Sequence, residues 1–190
     1  MTDRIRVFLS IDIDDESLLS RIFRIQNRLD QEAAKLRLVD RGSIHFTLRF
    51  FGDTSLSRIA EMRRVLETIE IAPFTILIEG VGAFPTLRRP NVIWIGVSQN
   101  AQQIVELKAR IDTLLVNLGF PLEKGFKAHA TIARVRAVKD RDRIVRNLES
   151  LASESVGTMT ITAFRMTKST LMPSGPVYET LWEIPSGKTG

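Results

Sequence analysis

The sequence contains no cysteine. Disulfides, thiolate metal sites and a cysteine nucleophile are thereby excluded. Long apolar runs are missing as well: the longest are strand-sized, whereas a membrane-crossing helix needs about 20 apolar residues. The opening Met1-Thr2-Asp3-Arg4-Ile5-Arg6 leads straight into a strand-like run and has no signal-peptide core. A cytoplasmic protein without a membrane partner is therefore expected. Histidine is scarce, with two in 190 residues.

The remaining composition is that of a soluble globular chain, 44% apolar and 26% charged. Its length suits one well-cored domain or two closely joined lobes. The net charge of +5 suits a polyanionic partner such as RNA, because Lys and Arg neutralise phosphates. Basic residues cluster at Leu87-Arg88-Arg89-Pro90 and from Arg134-Val135-Arg136 to Arg146.

Both histidines sit in one frame. His45-Phe46-Thr47-Leu48 and His129-Ala130-Thr131-Ile132 each read His-x-Thr-aliphatic. With 15 threonines in the chain, chance puts one two residues after a given histidine in roughly 8% of cases, and after both in roughly 0.6%. Histidine is also the side chain that titrates near neutrality, so a pair can supply an acid and a base together.

Hydrophobic periodicity alternates strands and helices. Ile5, Val7, Leu9 and Ile11 mark a strand. A helix over 16–36 follows, capped by Asp14 or Asp15 and carrying Leu18, Leu19, Ile22, Phe23, Leu29, Ala33 and Leu36. The first His-x-Thr strand covers 44–51, a helix 57–69, and a strand 74–79. The second half repeats the order: a strand at 92–97, a helix capped by Asn100 and stopped by Gly119, the strand 129–135, a short helix opened by Asp140, and a strand at 157–162. A hairpin of 163–171 and 177–184 around Pro173-Ser174-Gly175-Pro176 closes the chain.

His129 follows His45 by 84 positions, and the surrounding element boundaries share that offset. The pattern is an internal duplication of strand–helix–(His-x-Thr strand)–helix–strand. Two equivalent strands near a twofold axis bring the histidines toward one groove. Alternation puts His45 with Thr47, and His129 with Thr131, on one face of each strand. The apolar faces are left to pack on the helices.

Two imidazoles and two hydroxyls around one volume suggest acid–base catalysis at phosphorus, with the threonines holding non-bridging oxygens. Arg134, five residues after His129, is the candidate phosphate cation, since a guanidinium grips phosphate bidentately. Phe50, five after His45, is the candidate base-stacking surface. Strict alternation turns the fifth residue away from the groove, so both assignments require each strand to bulge first. Arg49, on the face of His45 under strict alternation, is the fallback cation. A metal centre fits poorly: threonine is a weak ligand, and no His-x3-His or His-Glu-x2-His spacing occurs. An RNA-end-binding module without turnover would use the same charge and groove, but has no need of an acid–base pair.

These motifs resemble the two-histidine phosphoesterase superfamily, and within it the bacterial and archaeal RNA 2′,3′-cyclic phosphodiesterases once called 2′-5′ RNA ligases. The likeness extends through Arg6-Val7-Phe8-Leu9-Ser10-Ile11, Gly82-Ala83-Phe84-Pro85, Arg89-Pro90-Asn91-Val92-Ile93-Trp94, Ser169-Thr170-Leu171 and Pro173-Ser174-Gly175-Pro176-Val177-Tyr178. One departure is Ala128, where the family usually has proline before the second histidine; no chemical group is lost.

The resemblance implies an α+β fold over 1–190 as a single domain of two pseudo-symmetric lobes, with two antiparallel sheets backed by helices around a central groove. It implies RNA ending in a 2′,3′-cyclic phosphate as substrate, opened to a 2′-phosphomonoester, with no metal and no cofactor. It also implies His45 as proton donor and His129 as acceptor, a choice that sequence symmetry leaves open. ATP-independent 2′-5′ ligation, or the same chemistry on another cyclic or 2′-5′ nucleotide, is the alternative. A monomer is the expected state.

Overall fold

The computed structural model describes residues 3–173 and 175–187. Ser174, in the expected turn of the closing hairpin, lies outside them. The elements run β1 (Arg4–Asp12), α1 (Glu16–Asn27), β2 (Ala34–Leu38), β3 (His45–Ser55), α2 (Leu56–Leu66), β4 (Phe74–Thr86), β5 (Arg89–Gln99), α3 (Ala101–Val116), β6 (His129–Val138), α4 (Arg141–Ser150), β7 (Ser155–Ile161), β8 (Ala163–Met172) and β9 (Gly175–Pro185). Among the described residues no helix is long and apolar enough to cross a membrane.

Local chemistry explains most boundaries. Asp15 starts α1 by accepting the Leu18 N–H at 2.8 Å, and Asp140 starts α4 by accepting that of Arg143 at 3.0 Å. The helix expected over 16–36 stops at Asn27. Asp30 is the reason: its carboxylate accepts the N–H groups of Glu32 and Ala33 at 3.1 and 3.0 Å, a local turn that competes with helix. The chain then extends, and Leu36 belongs to β2, paired with β6. The second helix ends at Leu66 rather than 69, though Ile69 stays buried beyond it. Asn100 does not cap α3 with its side chain. It sits in the left-handed region at φ 60°, and its Nδ2 donates to the Thr75 carbonyl at 2.6 Å. β4 and β5 run beyond the apolar stretches that mark them in the sequence.

All strand pairs are antiparallel, in the order β7-β4-β5-β6-β3-β1-β8-β9, with β2 also on β6. The two sheets expected are, among the described residues, one continuous nine-stranded sheet. Its two halves meet at β3 and β6, where Phe46 pairs with Ala130. The physical reason is the pseudo-twofold axis: it brings the two equivalent strands edge to edge, close enough to hydrogen-bond. Phe46, Leu48, Ala130 and Ile132 are each at most 1% exposed and anchor both strands in the shared core. Burying each of the three larger side chains stabilises the fold by about 1.5–3 kcal/mol.

Candidate active site

From His45 to Phe50 the side chains run half-buried, buried, half-buried, buried, buried, exposed, and from His129 to Arg134 they follow the same order. Strict alternation would not place two buried residues in succession. A β-bulge in each strand accounts for it. In the β1–β3 ladder Ser10 pairs with Thr47 and Leu9 with Arg49, skipping Leu48. In the β5–β6 ladder Trp94 pairs with Thr131 and Ile93 with Ala133, skipping Ile132. Leu48 and Ile132 are themselves 84 positions apart, so the bulge is duplicated along with the motif.

The bulges turn Phe50 and Arg134 toward the groove and Arg49 inward. Arg49 is 4% exposed, and its guanidinium donates to Asp112 Oδ1 at 2.5 Å and to the Pro121 carbonyl at 2.6 Å. It lines the groove, but these buried contacts hold it, so it is not the free cation that strict alternation predicts. Lys108 joins the same buried cluster, pairing with Asp112 and, at 2.8 Å, with Glu123. Together Arg49 and Lys108 hold down the connection leading to β6.

A groove of about 460 Å³ is lined by His45, Thr47, His129, Thr131, Phe50 and Arg134. All six residues singled out in the sequence thus share one cavity. With Phe46 opposite Ala130, antiparallel register sets His45 across from Thr131 and Thr47 across from His129. The two imidazoles and two hydroxyls alternate around the cavity centre.

Each imidazole is oriented in the same way. Nδ1 of His45 lies 2.9 Å from the Ser43 carbonyl, and Nδ1 of His129 lies 2.7 Å from the Lys127 carbonyl. A carbonyl can only accept, so Nδ1 carries the proton and Nε2 is the atom left for chemistry. Their walls differ. His45 stacks on Phe8 at 4.9 Å between centroids and meets the edge of Tyr178 at 5.2 Å. His129 meets Phe84 edge-on at 4.9 Å and Trp94 at 6.2 Å.

Burial lowers the pKa of both imidazoles below the ordinary value, because the charged form loses its hydration. The neighbouring charges are opposite in sense. The Asp12 carboxylate raises the proton affinity of His45, although His129 and Arg134 oppose it. The Lys127 ammonium lowers that of His129, while the hydrogen bond to the Lys127 carbonyl raises it. Burial likewise raises the pKa of the Tyr178 hydroxyl.

Phe8, Phe84, Trp94, Lys127 and Tyr178 were not singled out as site residues from the sequence. Trp94 and Tyr178 stand 84 positions apart and each touches one histidine, so the repeat offset was a signal that could have found them. Among the described residues, no group of three or more His, Asp or Glu side chains is arranged to hold a metal ion.

The family model described as LigT like Phosphoesterase matches twice, over residues 11–94 and 95–178. The chain belongs to the LigT-like phosphoesterase family. The second match starts 84 positions after the first, the same offset that separates the histidines of this LigT-like chain. Relatives include a Methanothermobacter thermautotrophicus protein named RNA 2′,3′-cyclic phosphodiesterase, 33% identical over 92% of this chain and 95% of its own. An Archaeoglobus fulgidus protein of the same name is 34% identical over 93% and 97%. The solved structure of TT0787 from Thermus thermophilus superposes with a TM-score of 0.79 at 21% identity, covering 95% of this chain and 97% of that one, a likeness of fold.

Proposed function

We propose that this protein hydrolyses the 2′,3′-cyclic phosphate at the end of an RNA to a 2′-phosphomonoester, without a metal ion or cofactor. The observation that carries the reading is the matched pair of imidazoles, each with Nδ1 held by the carbonyl two residues earlier and Nε2 free for the groove. The names of the relatives supply the substrate class.

In this mechanism a water oxygen attacks phosphorus while His129 Nε2 accepts its proton. The P–O3′ bond breaks as His45 Nε2 donates a proton to the leaving oxygen. The product carries a 2′-phosphate and a 3′-hydroxyl, and the two histidines exchange protonation states before the next turnover. Thr47 and Thr131 donate to the non-bridging oxygens, and Arg134 offsets their negative charge. Phe50, 57% exposed at the groove edge, stacks on the terminal base.

Family resemblance makes His45 the acid, and the Asp12 carboxylate beside it favours its protonated form against the opposing effect of burial. Every group in the scheme comes from one chain, so we read the two lobes as a single domain acting as a monomer.

Product analysis on a cyclic-phosphate-ended oligoribonucleotide tests the reading. The expected product is the 2′-phosphomonoester, formed at the same rate with or without EDTA. A 3′-phosphomonoester, or activity that EDTA abolishes and a divalent ion restores, would overturn it.

A further inference from the structure

Among the described residues β2 has no counterpart strand at the offset of 84. β2 continues the edge of β6 beyond the Phe46–Ala130 junction, and the offset of 84 carries its residues into the connection between α3 and β6. This strand brings a second guanidinium to the groove. Arg37 pairs directly across from Arg134, and both line the cavity. The Arg37 side chain is seated against Gly175 at the start of β9, where an added Cβ would strike its Nη2. That contact sets it at the rim beside Pro176 and Tyr178, which also line the groove.

Two guanidiniums side by side in one groove suit a ligand that carries two anionic groups. Adjacent strands stand about 5 Å apart, so the two long side chains can serve successive phosphates of one strand. Phe50, Phe126 and Lys127 also line the groove.

We propose that Arg37, beside Arg134, forms a second anion subsite that takes the internucleotide phosphate one step 5′ of the cyclic end. The protein thereby selects RNA ends over free nucleoside cyclic phosphates. The proposal rests on the hydrolytic reading above and names the substrate length that reading leaves open.

The test compares adenylyl-adenosine 2′,3′-cyclic phosphate with adenosine 2′,3′-cyclic phosphate in the wild type, Arg37→Gln and Arg37→Lys. The expected result is a ratio of kcat/KM values, dinucleotide over mononucleotide, that falls roughly tenfold in Arg37→Gln and is partly kept in Arg37→Lys. An unchanged ratio overturns the subsite, whether both activities fall together or neither moves. A measurement on the wild type stands apart from folding of the variants. Binding of the dinucleotide 2′-phosphate should depend on salt more steeply than that of 2′-AMP, because one more phosphate is paired with a cation and salt screens that pair. Equal slopes overturn the subsite. A wild type inactive on both cyclic substrates refutes the hydrolytic reading instead, and the two binding slopes still decide on the subsite.

Discussion

Phe46 and Ala130 face each other across the pseudo-twofold axis, and theirs is the pairing that joins β3 to β6. Their side chains are fully buried, one residue after each histidine. The register of the whole site depends on this contact, since a slip of one residue would turn His45 and His129 into the core. Phe46→Ala is expected to destabilise the fold by about 3–5 kcal/mol through the cavity it leaves. Urea unfolding monitored by circular dichroism measures this, and a loss under about 1 kcal/mol would show that the junction repacks.

His45→Ala and His129→Ala should each reduce hydrolysis of a cyclic-phosphate end by about 10²–10⁴, the usual contribution of a positioned acid or base. The double variant should lose little more than either single one, because the pair acts as a unit. Single-turnover rates of the three variants give the comparison. Near-normal hydrolysis by either single variant would sink the two-histidine mechanism.

The sequence shows the paired motifs and their offset because the inward and outward positions of β3 and β6 alternate as far as Thr47 and Thr131. Beyond them strict alternation misplaces Arg49. A bulge carries no residue signature of its own, and Leu48 and Ile132 look like ordinary core positions. Asp112, the partner that draws Arg49 inward, lies on α3, far along the chain. β2 was hidden for another reason: Leu29, Ala33 and Leu36 keep helical spacing, while Asp30 ends any helix through hydrogen bonds that spacing does not reveal.

The depressed pKa of both histidines fixes a pH dependence. The kcat/KM profile of the free enzyme should be bell-shaped, with both limbs below the ordinary imidazole value of about 6.5. In the kcat profile the bound phosphate stabilises the imidazolium forms, so both limbs should move to higher pH. Stability follows the same groups. Below pH of about 6.5 the unfolded chain takes up protons that the folded site resists, so the unfolded state binds more protons and stability falls as pH falls. The wild type should thus lose more stability between neutral and mildly acidic pH than a variant with both histidines replaced by glutamine. Equal losses in chemical denaturation would contradict the assignment.

The buried ions behind β3 give a prediction of a different kind. Arg49 and Lys108 share the Asp112 carboxylate, and all three are at most 4% exposed. Removing the carboxylate leaves two cations out of water, with Glu123 as a remaining anionic partner, 2.8 Å from Lys108 and 4.0 Å from Arg49, and the Pro121 carbonyl still accepting from Arg49. Asp112→Ala is therefore expected to cost about 3–5 kcal/mol, far more than loss of an exposed ion pair. The connection they hold contains Lys127, whose carbonyl orients His129. A milder change, Asp112→Asn, should lower kcat more than it raises KM, because it loosens the base rather than the substrate-binding groups. Chemical denaturation of the alanine variant and steady-state kinetics of the asparagine variant check the two parts. A stability loss under about 1 kcal/mol would mean that the cluster is solvated in solution and does not clamp the connection.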